Sequence, residues 1–206
     1  MKVTLRAFVC CLMLSIPAVG AAGTIVDTGT PIGGPNYSLS VGQYFGGEFT
    51  ITDSYLITNV SGYFQTSSGT IWISLHDDGG NVPGLVIDHR KMPIGVFGDV
   101  DLAWHGSDFN FVLARGTYWV SFRPEVGTSG IMPGTAPNPM NEYAQGSLLL
   151  GVPTWHDFGA DNRDFLGVGM RVSGEKIIAS VDDSTSTWSL LIGGALLLTA
   201  AHKRWV

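Results

Sequence analysis

The chain has 206 residues, of which 45% are hydrophobic and only 14% charged, and its formal net charge is −6. Over residues 23–180, seven basic residues stand against fifteen acidic ones, a formal charge of −8; such an acidic surface argues against nucleic acid or anionic lipid as partners. That stretch of about 160 residues is long enough for one domain with a full core. No internal repeat or linker divides it, and its many glycines and few charges suit short strands joined by turns.

Residues 1–22 read as a secretory signal peptide: Lys2 and Arg6 precede an apolar run over 7–19, and Gly20, Ala21 and Ala22 are small enough for a cleavage site. Export of this kind implies the Sec machinery and signal peptidase as partners. Both cysteines, Cys10 and Cys11, fall inside this segment, with Val9 where a lipoprotein signal wants a small residue. The exported chain is therefore expected to have no disulfide, no thiolate metal site and no lipid anchor.

The middle, residues 23–180, shows strands and no amphipathic helix. Residues 24–38 are rich in Gly and Pro, as in an arm or edge strand. Strands are expected over 44–52, 55–65 and 70–76; in the last, Ile71, Ile73 and Leu75 share one face and Trp72, Ser74 and His76 the other. Asp77, Asp78, Gly79, Gly80 and Asn81 make a turn. Further strands are expected over 85–92, 103–105, 109–113, 117–123, 147–152 and 165–172. Residues 124–145, with Gly, Pro and Asn throughout, read as a long loop of the kind that carries recognition on a rigid sandwich, or as a solvated excursion with no ligand. The pattern predicts an all-β fold, an antiparallel β-sandwich of jelly-roll type.

Catalytic signatures are missing: there is no Gly-x-Ser-x-Gly, no His-Glu-x-x-His and no phosphate loop, and no enzyme is expected. His76, His89, His105 and His156 each stand alone in sequence. Asp157, Asp161, Asn162 and Asp164 put four oxygen ligands within eight residues, a candidate calcium site, though ordinary turn chemistry explains them equally. No other cofactor is implied. Sugars stack on exposed aromatic faces, which makes Trp155, Trp104 and Tyr143 candidate ligand-binding residues; Trp72 and Trp119 lie on strands and are expected in the core.

Residues 181–206 have three parts. The polar motif Val181, Asp182, Asp183, Ser184, Thr185, Ser186, Thr187 is followed by an apolar run over 188–201 and then a basic end with Lys203 and Arg204. The apolar run is 14 residues, slightly under the ~17–25 of a comfortable bilayer crossing. It has no recurring polar face, so a transmembrane helix with its basic end on the cytoplasmic side is expected. A buried helix of a soluble domain is the other reading.

This tail resembles the sorting signals of the PEP-CTERM group, which exosortase-type transpeptidases of Gram-negative bacteria recognise. It is nearest the variant reading Val-Pro-Asp-Ser-Gly-Ser-Thr, which Val181, Asp183, Ser184, Ser186 and Thr187 match, with Asp182 in place of proline and Thr185 in place of glycine. The resemblance implies export, transient anchoring in the inner membrane, and cleavage near Val181 to Ser184 by an exosortase-like enzyme. Residues 69–84, 114–120 and 164–174 also resemble strand and turn patterns of exported bacterial sandwich domains, which implies a fold and a setting but brings no catalytic residues.

The expectation is an exported cell-surface or extracellular-matrix protein with a structural or adhesive role, associated with extracellular polysaccharide. A non-catalytic carbohydrate-binding module is the nearest alternative and a secreted glycoside hydrolase the distant one.

Overall fold

The computed structural model of the chain describes residues 18–19, 23–67, 69–94, 100–149, 152–157 and 167–178. The chain forms two compact units, Met1–Val19 with Ile178–Val206, and Gly20–Ile177. In the first, the described residues include the two-residue strand β1 (Ala18–Val19). The rest of the expected signal peptide and the whole of the expected sorting signal and transmembrane helix lie outside the described residues.

The second unit is all-β. Its strands are β2 (Gly23–Asp27), β3 (Asn36–Leu39), β4 (Tyr44–Ile51), β5 (Tyr55–Thr66), β6 (Gly69–Asp78), β7 (Pro83–Ile94), β8 (Val100–Leu113), β9 (Gly116–Pro124), β10 (Gly130–Pro133), β11 (Tyr143–Leu149), β12 (Val152–Asp157) and β13 (Met170–Ile178). They pair antiparallel in two sheets stacked like a sandwich. One has the order β12-β11-β4-β9-β6-β7. In the other, β13 lies between β2 and β5, β5 also pairs with β8 and β10, and β10 pairs with β3.

Alternation decides the core. Ile71, Ile73 and Leu75 of β6 are wholly buried on one face, beside Phe45 of β4 and Val120 and Phe122 of β9. Ile57, Val60 and Phe64 of β5 and Met170 and Val172 of β13 face them from the other sheet. The two layers meet at Phe64 and Phe122, whose ring centroids are 5.9 Å apart at 57°. Gly62 lets this happen: a Cβ there would stand 3.0 Å from the Phe122 ring.

The expected strands over 44–52, 55–65, 70–76, 85–92 and 117–123 match β4, β5, β6, β7 and β9, and the turn between β6 and β7 has its two central residues, Gly80 and Asn81, at φ 77° and 62°. Four expectations need correction. The strand expected over 165–172 is found as β13 at Met170–Ile178, with 167–169 outside it. Residues 103–105 and 109–113 are not two strands but parts of β8, because a register shift opposite Ile57 and Asn59 breaks the alternation without breaking the pairing. Residues 147–152 are not one strand: 147–149 end β11, Val152 begins β12, and Leu149 pairs with Val152 across the two antiparallel strands. Residues 124–145 are not a solvated loop: they contain β10, and Met132, Ala136 and Met140 are buried. Gly130 makes that packing feasible, since a side chain there would run into the Gln65 carbonyl.

Phe122→Ala is expected to cost about 3–5 kcal/mol of stability, against less than about 0.5 kcal/mol for Val126→Ala on the surface; denaturant midpoints of the two variants check this.

Candidate functional site

The outward face of a sandwich sheet is ordinarily solvated, but over β4, β9 and β6 this one is covered. Strand register assembles the cover. Trp155 of β12 lies opposite Gly146 of β11, which lies opposite Tyr44 of β4. Phe45 pairs with Phe122, which sets Arg123 beside Tyr44; Arg123 in turn lies opposite Trp72, and Trp72 opposite Lys91. A second row next to it joins Gly46, Ser121 and Ser74.

Two glycines shape the result. A Cβ on Gly146 would collide with the Tyr44 ring, and one on Gly46 would stand 3.3 Å from the Trp155 indole. With no side chain at either place, Tyr44 sinks to 1% exposure. Trp155 then meets its ring edge-on at a centroid distance of 5.1 Å and meets the His76 imidazole at 5.8 Å. Beside the indole opens a cavity of about 390 Å³, a size suited to a small ligand or one unit of a polymer. Tyr44, Ser74, His76, Ser121, Arg123 and Trp155 supply its polar and aromatic wall, and the exposed Leu85, Val86 and Pro153 its lip.

His76 is held from both sides. Its Nδ1 lies 3.2 Å from the Gly84 carbonyl and its Nε2 2.9 Å from Ser121 Oγ. A carbonyl only accepts, so Nδ1 carries the proton and donates it, and Nε2 accepts the Ser121 hydroxyl. Burial lowers the His76 pKa, outweighing the Gly84 hydrogen bond and the charge of Asp77, which act to raise it.

The three aromatic candidates do not converge. Trp155 lines the cavity, half-buried rather than free. Trp104 belongs to the other sheet, where it packs on Tyr63 at 5.5 Å and has the Arg171 guanidinium 3.7 Å over its ring. Tyr143, expected to meet a ligand, is instead wholly buried: its hydroxyl donates to the Val168 carbonyl (3.2 Å) and accepts from the Met140 amide (3.0 Å). Trp72, expected in the core, is half-buried on the outward face, donating to Glu125 and carrying Lys91 Nζ 4.4 Å over its ring. Trp119 is buried as expected.

Of the calcium candidates, Asp157 is an exposed residue at the end of β12, and Asp161, Asn162 and Asp164 lie outside the described residues. Asp78 serves its turn, accepting from the Gly80 amide (2.9 Å) and the Trp119 indole (3.3 Å). Among the described residues no three His, Cys, Asp or Glu side chains gather to hold a metal. Val181, Asp182, Asp183, Ser184, Thr185, Ser186, Thr187, Lys203 and Arg204 lie outside the described residues.

Sequence reasoning missed Tyr44, Ser74, His76, Ser121 and Arg123. The available signal was the outward phase of β6, which carries Trp72, Ser74 and His76 together. No protein-family model matches the chain, and no curated protein is detectably similar to it.

An unfolded histidine titrates near 6.5, so as pH falls the unfolded chain binds its proton before folded His76 does. The stability owed to neutral His76 is full above about pH 6.5 and drains away as pH falls from there toward the lowered folded value. Glu48 and Glu142, raised chiefly by burial, act in the opposite sense at lower pH. The melting temperature is therefore expected to fall more between pH 7.5 and 5.5 in the native chain than in His76→Gln; parallel thermal scans measure the difference.

Proposed function

We propose that this chain is an exported cell-surface or extracellular-matrix protein, structural or adhesive in role, that holds polysaccharide in the Trp155 cleft. Its sandwich is read as of jelly-roll type. The signal-like residues 1–22 and the tripartite tail support delivery by the Sec machinery and processing by an exosortase-like transpeptidase. The observation that carries the binding reading is the cleft itself. A pyranose has an apolar C–H face and a hydroxyl edge, and here an indole and a phenol ring stand beside two serine hydroxyls, an imidazole and a guanidinium in one cavity. These groups sit on paired strands rather than on loops, so little ordering is needed for binding.

The alternative of a non-catalytic carbohydrate-binding module uses the same cleft and differs in its setting. Glycoside hydrolysis uses two carboxylates about 5–10 Å apart across the sugar. Among the described residues none lines this cleft, which favours holding a sugar over cleaving it.

On a glycan array, the detergent-solubilised full chain is expected to show weak saturable binding. Trp155→Ala should lower it by about tenfold or more, a loss of roughly 1.4 kcal/mol, while Trp104→Ala leaves it unchanged. An array with no bound glycan, or equal loss in both variants, contradicts the reading. The mass of the protein recovered from cell-surface fractions checks the second half: it should correspond to cleavage near Val181 to Ser184.

A further inference from the structure

We infer that the cleft selects a carboxylated sugar, a hexuronate unit, over neutral sugars. The inference rests on the binding reading above and narrows it. The deciding group is Arg123. Arg90, Lys91, Arg171 and Lys176 each pair with a carboxylate at 2.6–2.8 Å. Arg123, half-buried in the cleft wall beside Tyr44, makes no salt bridge among the described residues, and the Trp72 ring lies 5.7 Å from its guanidinium carbon. In a domain where acidic residues outnumber basic ones by fifteen to seven, an arginine left unpaired in a cavity stands out. A half-desolvated guanidinium is costly alone and gains most from a carboxylate, which its planar fork meets with two parallel hydrogen bonds.

The neighbouring groups say what else the ligand carries. Ser121 gives its proton to His76 Nε2, so the lone pairs of its oxygen remain to accept a hydroxyl. The Ser74 hydroxyl, opposite Ser121 in the β6–β9 register, has no side-chain hydrogen bond among the described residues and serves as donor or acceptor. The Trp155 indole offers an apolar wall. A carboxylate, hydroxyls on neighbouring carbons and an apolar C–H face describe a hexuronate. The domain's net negative charge opposes an anionic ligand in general, so the local attraction of Arg123 has to outweigh it in this cleft.

The test titrates the full chain in detergent with trigalacturonate, maltotriose and sodium acetate, by calorimetry. Trigalacturonate is expected to bind at least tenfold more tightly than maltotriose, with acetate far weaker. Arg123→Gln should erase that preference, lowering trigalacturonate affinity at least tenfold more than it lowers maltotriose affinity. Arg123→Lys, which keeps the charge without the fork, should retain only part of it, and it provides the same comparison if the glutamine variant does not fold. Equal affinity for the two trisaccharides overturns the inference and leaves the binding reading standing. Acetate binding as tightly as trigalacturonate also overturns it, because the site would then be for a bare carboxylate. No binding of either trisaccharide overturns both.

Discussion

The indole of Trp155 can lie against Tyr44 and His76 only because the chain has no side chain at Gly46 and Gly146. That steric vacancy is the constraint on which the site depends. Fill it, and the phenol ring of Tyr44 must leave the sheet surface, taking with it the support for Trp155 and the wall of the cavity. The core beneath has its own version of the same device, since Gly62 admits the Phe122 ring that ties one sheet to the other. In both places a glycine on a regular strand is a packing partner for an aromatic ring rather than a hinge or a turn.

The covered outward face explains why two residues that pattern reasoning places at the surface are among the most buried polar groups of the domain. His76 and Ser74 are 5% and 8% exposed, although they occupy the polar phase of β6. The low-dielectric surroundings keep the imidazole neutral, and a neutral imidazole with its Nδ1 proton spent on Gly84 can only accept from Ser121. Burial thus fixes the direction of a hydrogen bond, and that direction fixes which groups remain for a ligand.

Much of the fold was legible because a half-buried strand alternates, and the alternation of Ile71, Ile73 and Leu75 survives in the structure unchanged. It failed where pairing and pattern part company. The bulge in β8 hid the continuity of that strand, and the apolar run through Leu148 and Leu149 hid the change from β11 to its antiparallel partner β12. The site was less legible, for a physical reason: Tyr44, His76, Arg123 and Trp155 come from four strands, and their meeting is a matter of cross-strand register that no local window contains. Trp155 could be singled out from its polar neighbours. Tyr143 could not be separated from it, because a buried tyrosine with a satisfied hydroxyl and an exposed one look alike in a string of letters.

Sugar held in the Trp155 cleft, as proposed, touches the outward face of β12-β11-β4-β9-β6-β7. The direct measurement follows the indole N–H resonances of the tryptophans by nitrogen-15 NMR as an acidic oligosaccharide is added. The Trp155 signal should shift saturably, with a smaller shift at Trp72 and none at Trp104; a dominant shift at Trp104, or no shift at Trp155 at saturating sugar, would contradict it.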